Sequence, residues 1–195
     1  LTSKIDASAE GVTKTTFEPD GETVQVEEHW PAGANPGSDP ASVTTTYDYD
    51  KVSGDLTSKI DASAEGVTKT TFEPDGETVQ VEEHWPVDTS LSQISQGTIT
   101  AASYTAYGYE DGVLTSKIDA SAEGVTQTAF DLDGTTVTSE SHWPAGTKWS
   151  SGNLDNDEAT SSTAYGYDDG VLTSKIDASA EGVTKTTFEP DGETV

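Results

Sequence analysis

LTSKIDASAEGVTKTTFEPDGETV occupies residues 1–24, recurs unchanged at 56–79, and recurs again at 172–195. GVTKTTFE within it, and TVQVEEHW (23–30) just after it, are rich in Val, Thr and aromatic residues, which suit a pleated surface. Between the two runs stands Pro19-Asp20-Gly21. Proline presets φ, aspartate tolerates the second corner, and glycine takes the left-handed position of a bulged hairpin. A strand, a turn and a returning strand are therefore predicted. The register stays open. A loop of Asp20-Gly21 alone sets Phe17 against Val24, whereas a three-residue loop puts Thr16 and Val12 on the Val24 side. A one-residue slip reverses every side chain.

Working outward, Leu-Thr-Ser-Lys-Ile begins at residues 1, 56, 114 and 172. Residues 1–31 equal 56–86, and 114–144 differs from them at eight positions, among them Thr16 against Ala129 and Pro19 against Leu132. Variable segments (32–55, 87–113 and 145–171) separate these blocks. Each closes on a tyrosine pair: Tyr47 and Tyr49, Tyr107 and Tyr109, Tyr165 and Tyr167. Self-similarity at such a period marks an array. The expected divisions are repeat 1 at 1–55, repeat 2 at 56–113, repeat 3 at 114–171, and the start of a fourth at 172–195, as a segment of a longer array.

Each period reads as about four strands, because apolar and polar residues alternate with period two. Val24, Val26, Glu28 and Trp30 are expected on one face, with Thr23, Gln25, Glu27 and His29 on the other. Val43, Thr45, Tyr47 and Tyr49 oppose Asp48 and Asp50, and Leu1 and Ile5 oppose Thr2, Lys4 and Asp6. No 3.6-residue pattern persists, and Asp-Ala-Ser-Ala-Glu-Gly is read as a turn. The expected fold is all-β: tandem antiparallel β-hairpin repeats forming an extended solenoid, spiral sheet or tube wall, each unit stabilised by its neighbours.

Composition narrows the function. Acids number 36 against nine cations, for a formal charge of -27, and all nine cations are lysine. Such a chain repels phosphate backbones and anionic headgroups, so neither nucleic acid nor membrane insertion is expected. There is no cysteine, hence no disulfide framework.

The candidate sites are few. His29, His84 and His142 each sit in His-Trp-Pro. One histidine per period is too few for a metal site, which needs three or four ligands, although stacked periods could align them as a ladder. The preferred reading packs Trp30, Trp85 and Trp143 at strand ends, stops the strand at proline, and leaves histidine on the polar face. Asp131 and Asp133, with Asp155 and Asp157, echo calcium loops. The EF-hand spacing fails, because counting from Asn153 places Glu158 and Ala164 where Gly and Glu are required. An oxygen-rich calcium site remains the alternative to plain hairpin turns and a solvated acidic face. No other cofactor is expected. No catalytic motif occurs: Asp168 and Asp169 are adjacent, so along a strand they point to opposite faces instead of flanking a bond. The chain is not expected to be an enzyme.

Tyr47-Asp48-Tyr49-Asp50-Lys51-Val52-Ser53-Gly54-Asp55-Leu56-Thr57 resembles a YD repeat of the RHS family. Tyr107 to Leu114, with Tyr109 and Gly112, and Tyr165 to Leu172, with Tyr167 and Gly170, are shorter versions. Phe17 with Gly21, Phe72 with Gly76, and Phe130 with Gly134 are degenerate second copies, and the pattern starts again at Phe188. The resemblance implies tandem hairpins adding strand to strand in a spiralling sheet, in large bacterial proteins that are secreted or surface-exposed. Some of these enclose a toxic C-terminal domain. The expected function is a structural repeat protein of an extracellular or cell-surface filament, fibre or tube, whose partner is itself or the continuing array. The alternative is an RHS-like or adhesin stalk presenting the variable loops, or a shell around a toxin.

Overall fold

The computed structural model describes residues 1–95, 99–147, 149–150, 153–154 and 158–195. Leu1–Ala102 and Ser103–Val195 form two units. The first holds β1 (Ser3–Ser8), β2 (Gly11–Phe17), β3 (Val24–Pro31), β4 (Val43–Tyr49), β5 (Leu56–Ser63), β6 (Gly66–Phe72), β7 (Val79–Trp85) and α1 (Leu91–Ser95). The second holds β8 (Ser103–Glu110), β9 (Val113–Ser121), β10 (Gly124–Phe130), β11 (Val137–Pro144), β12 (Trp149–Ser150), β13 (Asn153–Leu154), β14 (Ser161–Asp168), β15 (Val171–Ser179) and β16 (Gly182–Thr187). Within each unit the strands pair antiparallel in chain order, except that β11 pairs with β14 while β12 and β13 make a small hairpin of their own. The protein is all-β, built of tandem hairpins.

Local chemistry explains the turns. The Gly21 amide donates to the Glu18 carbonyl at 2.9 Å, the Glu18 amide donates to Thr23 O at 2.8 Å, and Gly21 takes φ 77°. The loop therefore spans Pro19 to Glu22, longer than Asp20-Gly21 alone. The first hairpin turn is tighter than the sequence suggested. Asp6, Ala7 and Ser8 pair with Thr13, Val12 and Gly11, so only Ala9 and Glu10 turn the chain. The copy at Gly66 adopts φ 130°, and an added Cβ there would collide with the Trp85 carbonyl oxygen. Glycine is required on both counts.

The register resolves the open question and corrects two face assignments. Phe17 pairs with Val24, yet Thr16 pairs with Val26, with a β-bulge between. Paired residues share a face and neighbours alternate, so Val24 and Val26 fall on opposite faces, not together. A second bulge sets Tyr49 opposite Leu56 while Asp48 opposes Ser58. Leu56 therefore parts from Ile60, against the expectation that Leu and Ile of this segment face together. The cause is the same in both cases: one extra residue in a strand reverses the alternation beyond it.

Two faces result in each unit. One, the tryptophan face, carries Trp30, Glu28, Val26, Ile60, Ala62, Val67 and Trp85; the other, the histidine face, carries His29, Glu27, Thr45, Tyr47, Lys59, Asp61 and His84. Ile5, Lys14, Glu28, Thr44, Ala62, Val67 and Trp85 form one cross-strand row. The repeat equivalent of Ile5 is Ile60, not Ala62, so each four-strand period is staggered by two residues. The row Ile118, Gln127, Ser141, Ser162, Ala178 repeats this stagger in the second unit.

The apolar core is thin. Trp30, Val67, Trp85 and Val125 are each 3% exposed, but no described side chain is sealed completely. In the first unit the variable segments supply cover. Leu91 and Ile94 of α1, with Ile99 and Ala101, pack on Val67, Trp85, Ile60 and Ala62. No helix was expected here, since five residues are too few to show a 3.6-residue pattern. Its start was nevertheless encoded: Ser90 and Gln93 bond reciprocally, Ser90 N to Gln93 Oε1 at 3.1 Å and Gln93 N to Ser90 Oγ at 3.4 Å, which is a capping box. In the first period Trp30 Nε1 donates to Asp39 O at 2.8 Å, tying residues 32–42 over that ring.

Candidate functional site

The histidine face carries the chemistry that recurs. Threonine hydroxyls of β4, β8 and β14 donate to aspartates of the next strand: Thr45 to Asp61 at 2.6 Å, Thr105 to Asp119 at 2.7 Å, and Thr163 to Asp177 at 2.8 Å. Each aspartate also pairs with the lysine two residues before it, Lys59 at 3.1 Å, Lys117 at 2.9 Å and Lys175 at 3.0 Å. The Thr163 hydroxyl and then Lys175 hold the Asp177 carboxyl below the usual carboxylate range. The Tyr47 hydroxyl donates to Glu27 Oε2 and the Tyr165 hydroxyl to Glu140 Oε2, both at 2.9 Å. Burial, then the accepting glutamate, pushes both phenols up to about 12. Thr15, Thr70 and Thr128, equivalent positions in three periods, are buried and lie opposite Glu27, Glu82 and Glu140.

Each histidine meets a threonine across the strand pair. Thr13 Oγ1 and His29 Nδ1 are 3.2 Å apart, Thr68 and His84 3.1 Å, Thr126 and His142 3.0 Å. His29 and His84 are four strands apart, about 19 Å, and the stagger offsets them along the strand. Within this unit they form no ladder. A hydroxyl bonded to an imidazole resembles an activated nucleophile, which also needs a third group on the far side of the ring. Here the row runs Asp119, Thr126, His142, so the acid flanks the hydroxyl and is already engaged by Thr105 and Lys117.

The acidic turns hold themselves. Asp133 Oδ1 accepts from Thr135 N at 2.8 Å and Thr136 N at 2.7 Å, while Oδ2 accepts from the Thr136 hydroxyl. These bonds, the hydroxyl first, lower its carboxyl to about 2. Asp131 Oδ1 accepts from Leu132 N at 2.7 Å. Asp155 and Asp157 lie outside the described residues. Among the described residues no group of three or more His, Asp or Glu is placed to hold a metal.

The repeat-marking residues divide by face and turn. Tyr47 and Tyr49 lie with Lys59 and Leu56, Tyr107 and Tyr109 pair with Lys117 and Leu114, and Tyr165 and Tyr167 pair with Lys175 and Leu172. Gly21, Gly54, Gly76, Gly112, Gly134 and Gly170 all take positive φ at hairpin turns. Phe17, Phe72 and Phe130 oppose Val24, Val79 and Val137 at the bulges.

A comparison within the chain separates the faces further. The eight differences between 1–31 and 114–144 are three in the turn (Glu18/Asp131, Pro19/Leu132, Glu22/Thr135), one at the bulge (Gln25/Thr138), and four on the tryptophan face (Lys14/Gln127, Thr16/Ala129, Val26/Ser139, Glu28/Ser141). None touches the regular strand positions of the histidine face. No protein-family profile matches the chain, and no curated protein matches it in sequence.

Proposed function

We propose that this chain is a structural repeat protein of an extracellular filament, fibre or tube, built by stacking YD-like hairpins of the RHS type, and that it is not an enzyme. One observation carries the reading. Successive periods rebuild the same cross-strand bonds on the histidine face, threonine to aspartate and threonine to histidine in three periods and tyrosine to glutamate in two, and between residues 1–31 and 114–144 that face keeps its regular strand positions while the tryptophan face changes. Polar groups spent on neighbouring strands fasten hairpin to hairpin, which is what an array needs. The folding of 32–42 back onto Trp30, and of Leu91, Ile94, Ile99 and Ala101 onto Trp85, also favours this reading over a stalk presenting those loops. Self-association or continuation of the array supplies the partner.

Negative-stain electron microscopy of native material, with and without a calcium chelator, tests this. Long uniform filaments are expected. Discrete particles or short stalks in both conditions would overturn the proposal, and loss of filaments on chelation would assign calcium to the acidic turns.

A further inference from the structure

We propose that the outer edge of β1 is a docking edge selective for one strand class, the Tyr-x-Tyr strand of a neighbouring repeat, which it pairs antiparallel in the register of β4 on β5. The inference rests on the repeat-array reading and adds the identity and register of the strand received.

The segment LTSKIDAS underlies β1, β5, β9 and β15. Three of these four strands have a Tyr strand on the side away from the Gly-Val-Thr strand: β4 on β5, β8 on β9, β14 on β15. All three use one register. Lys59, Lys117 and Lys175 face Tyr47, Tyr107 and Tyr165; Ile60, Ile118 and Ile176 face Thr46, Ala106 and Ala164; Asp61, Asp119 and Asp177 face Thr45, Thr105 and Thr163. The threonine-to-aspartate hydrogen bond forms each time.

Among the described residues no strand pairs with the outer edge of β1. The cost is visible in its side chains. Ile5 is 63% exposed where the Tyr-strand-paired Ile118 and Ile176 are 8% and 38%, and every residue of β1 is exposed. Asp6 has its lysine, Lys4 at 2.8 Å, and no threonine hydroxyl. A row of free backbone donors and acceptors is a template for strand addition, and here the side chains add a code: Thr for Asp6, a small residue or Thr for Ile5, Tyr for Lys4.

The code also excludes the strand at the other end. In β2–β3, β6–β7 and β10–β11 the Gly-Val-Thr strand takes a Val-x-x-x-x-His-Trp strand on its outer side, so β16 calls for that class. In the repeat order a Trp strand and a Tyr strand stand between a β16-type edge and a β1-type edge. The two edges are therefore not complementary to each other.

The test titrates the isotope-labelled 195-residue protein with a synthetic peptide of residues 41–50, a Thr45→Val version, and a peptide of residues 182–188. Amide shifts and hydrogen exchange at Ser3–Ser8 are read. The 41–50 peptide should perturb and protect these amides, the Thr45→Val peptide should bind about tenfold more weakly, and the 182–188 peptide should leave them unchanged. Equal protection by the 182–188 peptide overturns the selectivity. A second chain, with residues 41–55 fused ahead of Leu1, removes any limit from weak peptide affinity. Protection of Ser3–Ser8 at the level of Leu56–Ser63 supports the proposal, and no gain in protection in this fused chain overturns it. Filaments without β1 protection would sink this inference alone, whereas β1 protection without filaments would sink only the filament reading.

Discussion

Lys14 Nζ lies 2.7 Å from Glu28 Oε2 across β2 and β3, and the third copy replaces both at once, Gln127 opposite Ser141. The pair has thus changed together within one chain, as directly opposed residues do when one loses its partner. Both groups are partly exposed, so the pair is worth about 0–1 kcal/mol. We expect Lys14→Gln with Glu28→Ser to leave the denaturant midpoint nearly unchanged. A double-mutant cycle should return a coupling below about 1 kcal/mol, and a larger coupling would mean the pair is more than a surface contact.

Identical local sequence should give unequal stability effects. Val67 is 3% exposed and Val183 is 73% exposed, although both stand in Gly-Val-Thr-Lys-Thr-Thr. Val67→Ala should cost about 2 kcal/mol through lost burial, and Val183→Ala less than about 0.5 kcal/mol. Equilibrium unfolding in urea distinguishes them, and equal costs would contradict the packing.

The short helix is a lid, and its removal should be felt beneath it. Ile94→Ala is expected to cost about 2 kcal/mol or more and to speed amide exchange in Gly66–Phe72. Unchanged exchange in β6 would show that α1 does not protect the strand it covers.

Acid should weaken the turns. Hydrogen bonds from the following threonine lower the carboxyls of Asp20 and Asp75, and take those of Asp133 and Asp191 to about 2. A carboxyl depressed in the folded state contributes stability that is whole above its unfolded value, 3.8, and is lost as pH falls through the folded one. Stability should therefore decline from about pH 4 to about pH 2. Asp133→Asn should flatten that decline in circular-dichroism melts, and a slope identical to the parent would refute the assignment.

Base should act through the tyrosines. Tyr47 and Tyr165 are raised to about 12 from an ordinary 10.0, so their contribution is whole below pH 10 and lost as pH rises to about 12. Burial is the first cause, followed by the hydrogen bond to Glu27 and then its charge. Glu27→Gln should therefore move the tyrosinate absorbance transition of Tyr47 down only part of the way, and a full return to the ordinary value would show that burial does not raise it.

Much of the architecture was legible from residues alone. Period-two alternation named the strands, and Pro19-Asp20-Gly21 marked a turn whose glycine does take positive φ. The register, open from local preference, left only a trace in the sequence. Lys14 and Glu28 change together in the third copy, as do Thr16 and Val26, and both are opposed pairs. The Ser90–Gln93 capping box likewise announced α1 beside a run too short for periodicity to detect.

By itself, then, the sequence determined the repeat, the antiparallel hairpins and the turn chemistry, because these depend on φ preferences and alternation within a few residues. Only the tertiary structure decided the bulges that part Val24 from Val26 and Leu56 from Ile60, the stagger of two residues per period, and the seating of Ile94 on Trp85. It also decided that the charges and hydroxyls of the histidine face bond across strands. Those outcomes depend on which backbone atoms of distant segments meet, and a bulge or stagger of one or two residues, invisible in local preference, reverses or shifts every side chain beyond it.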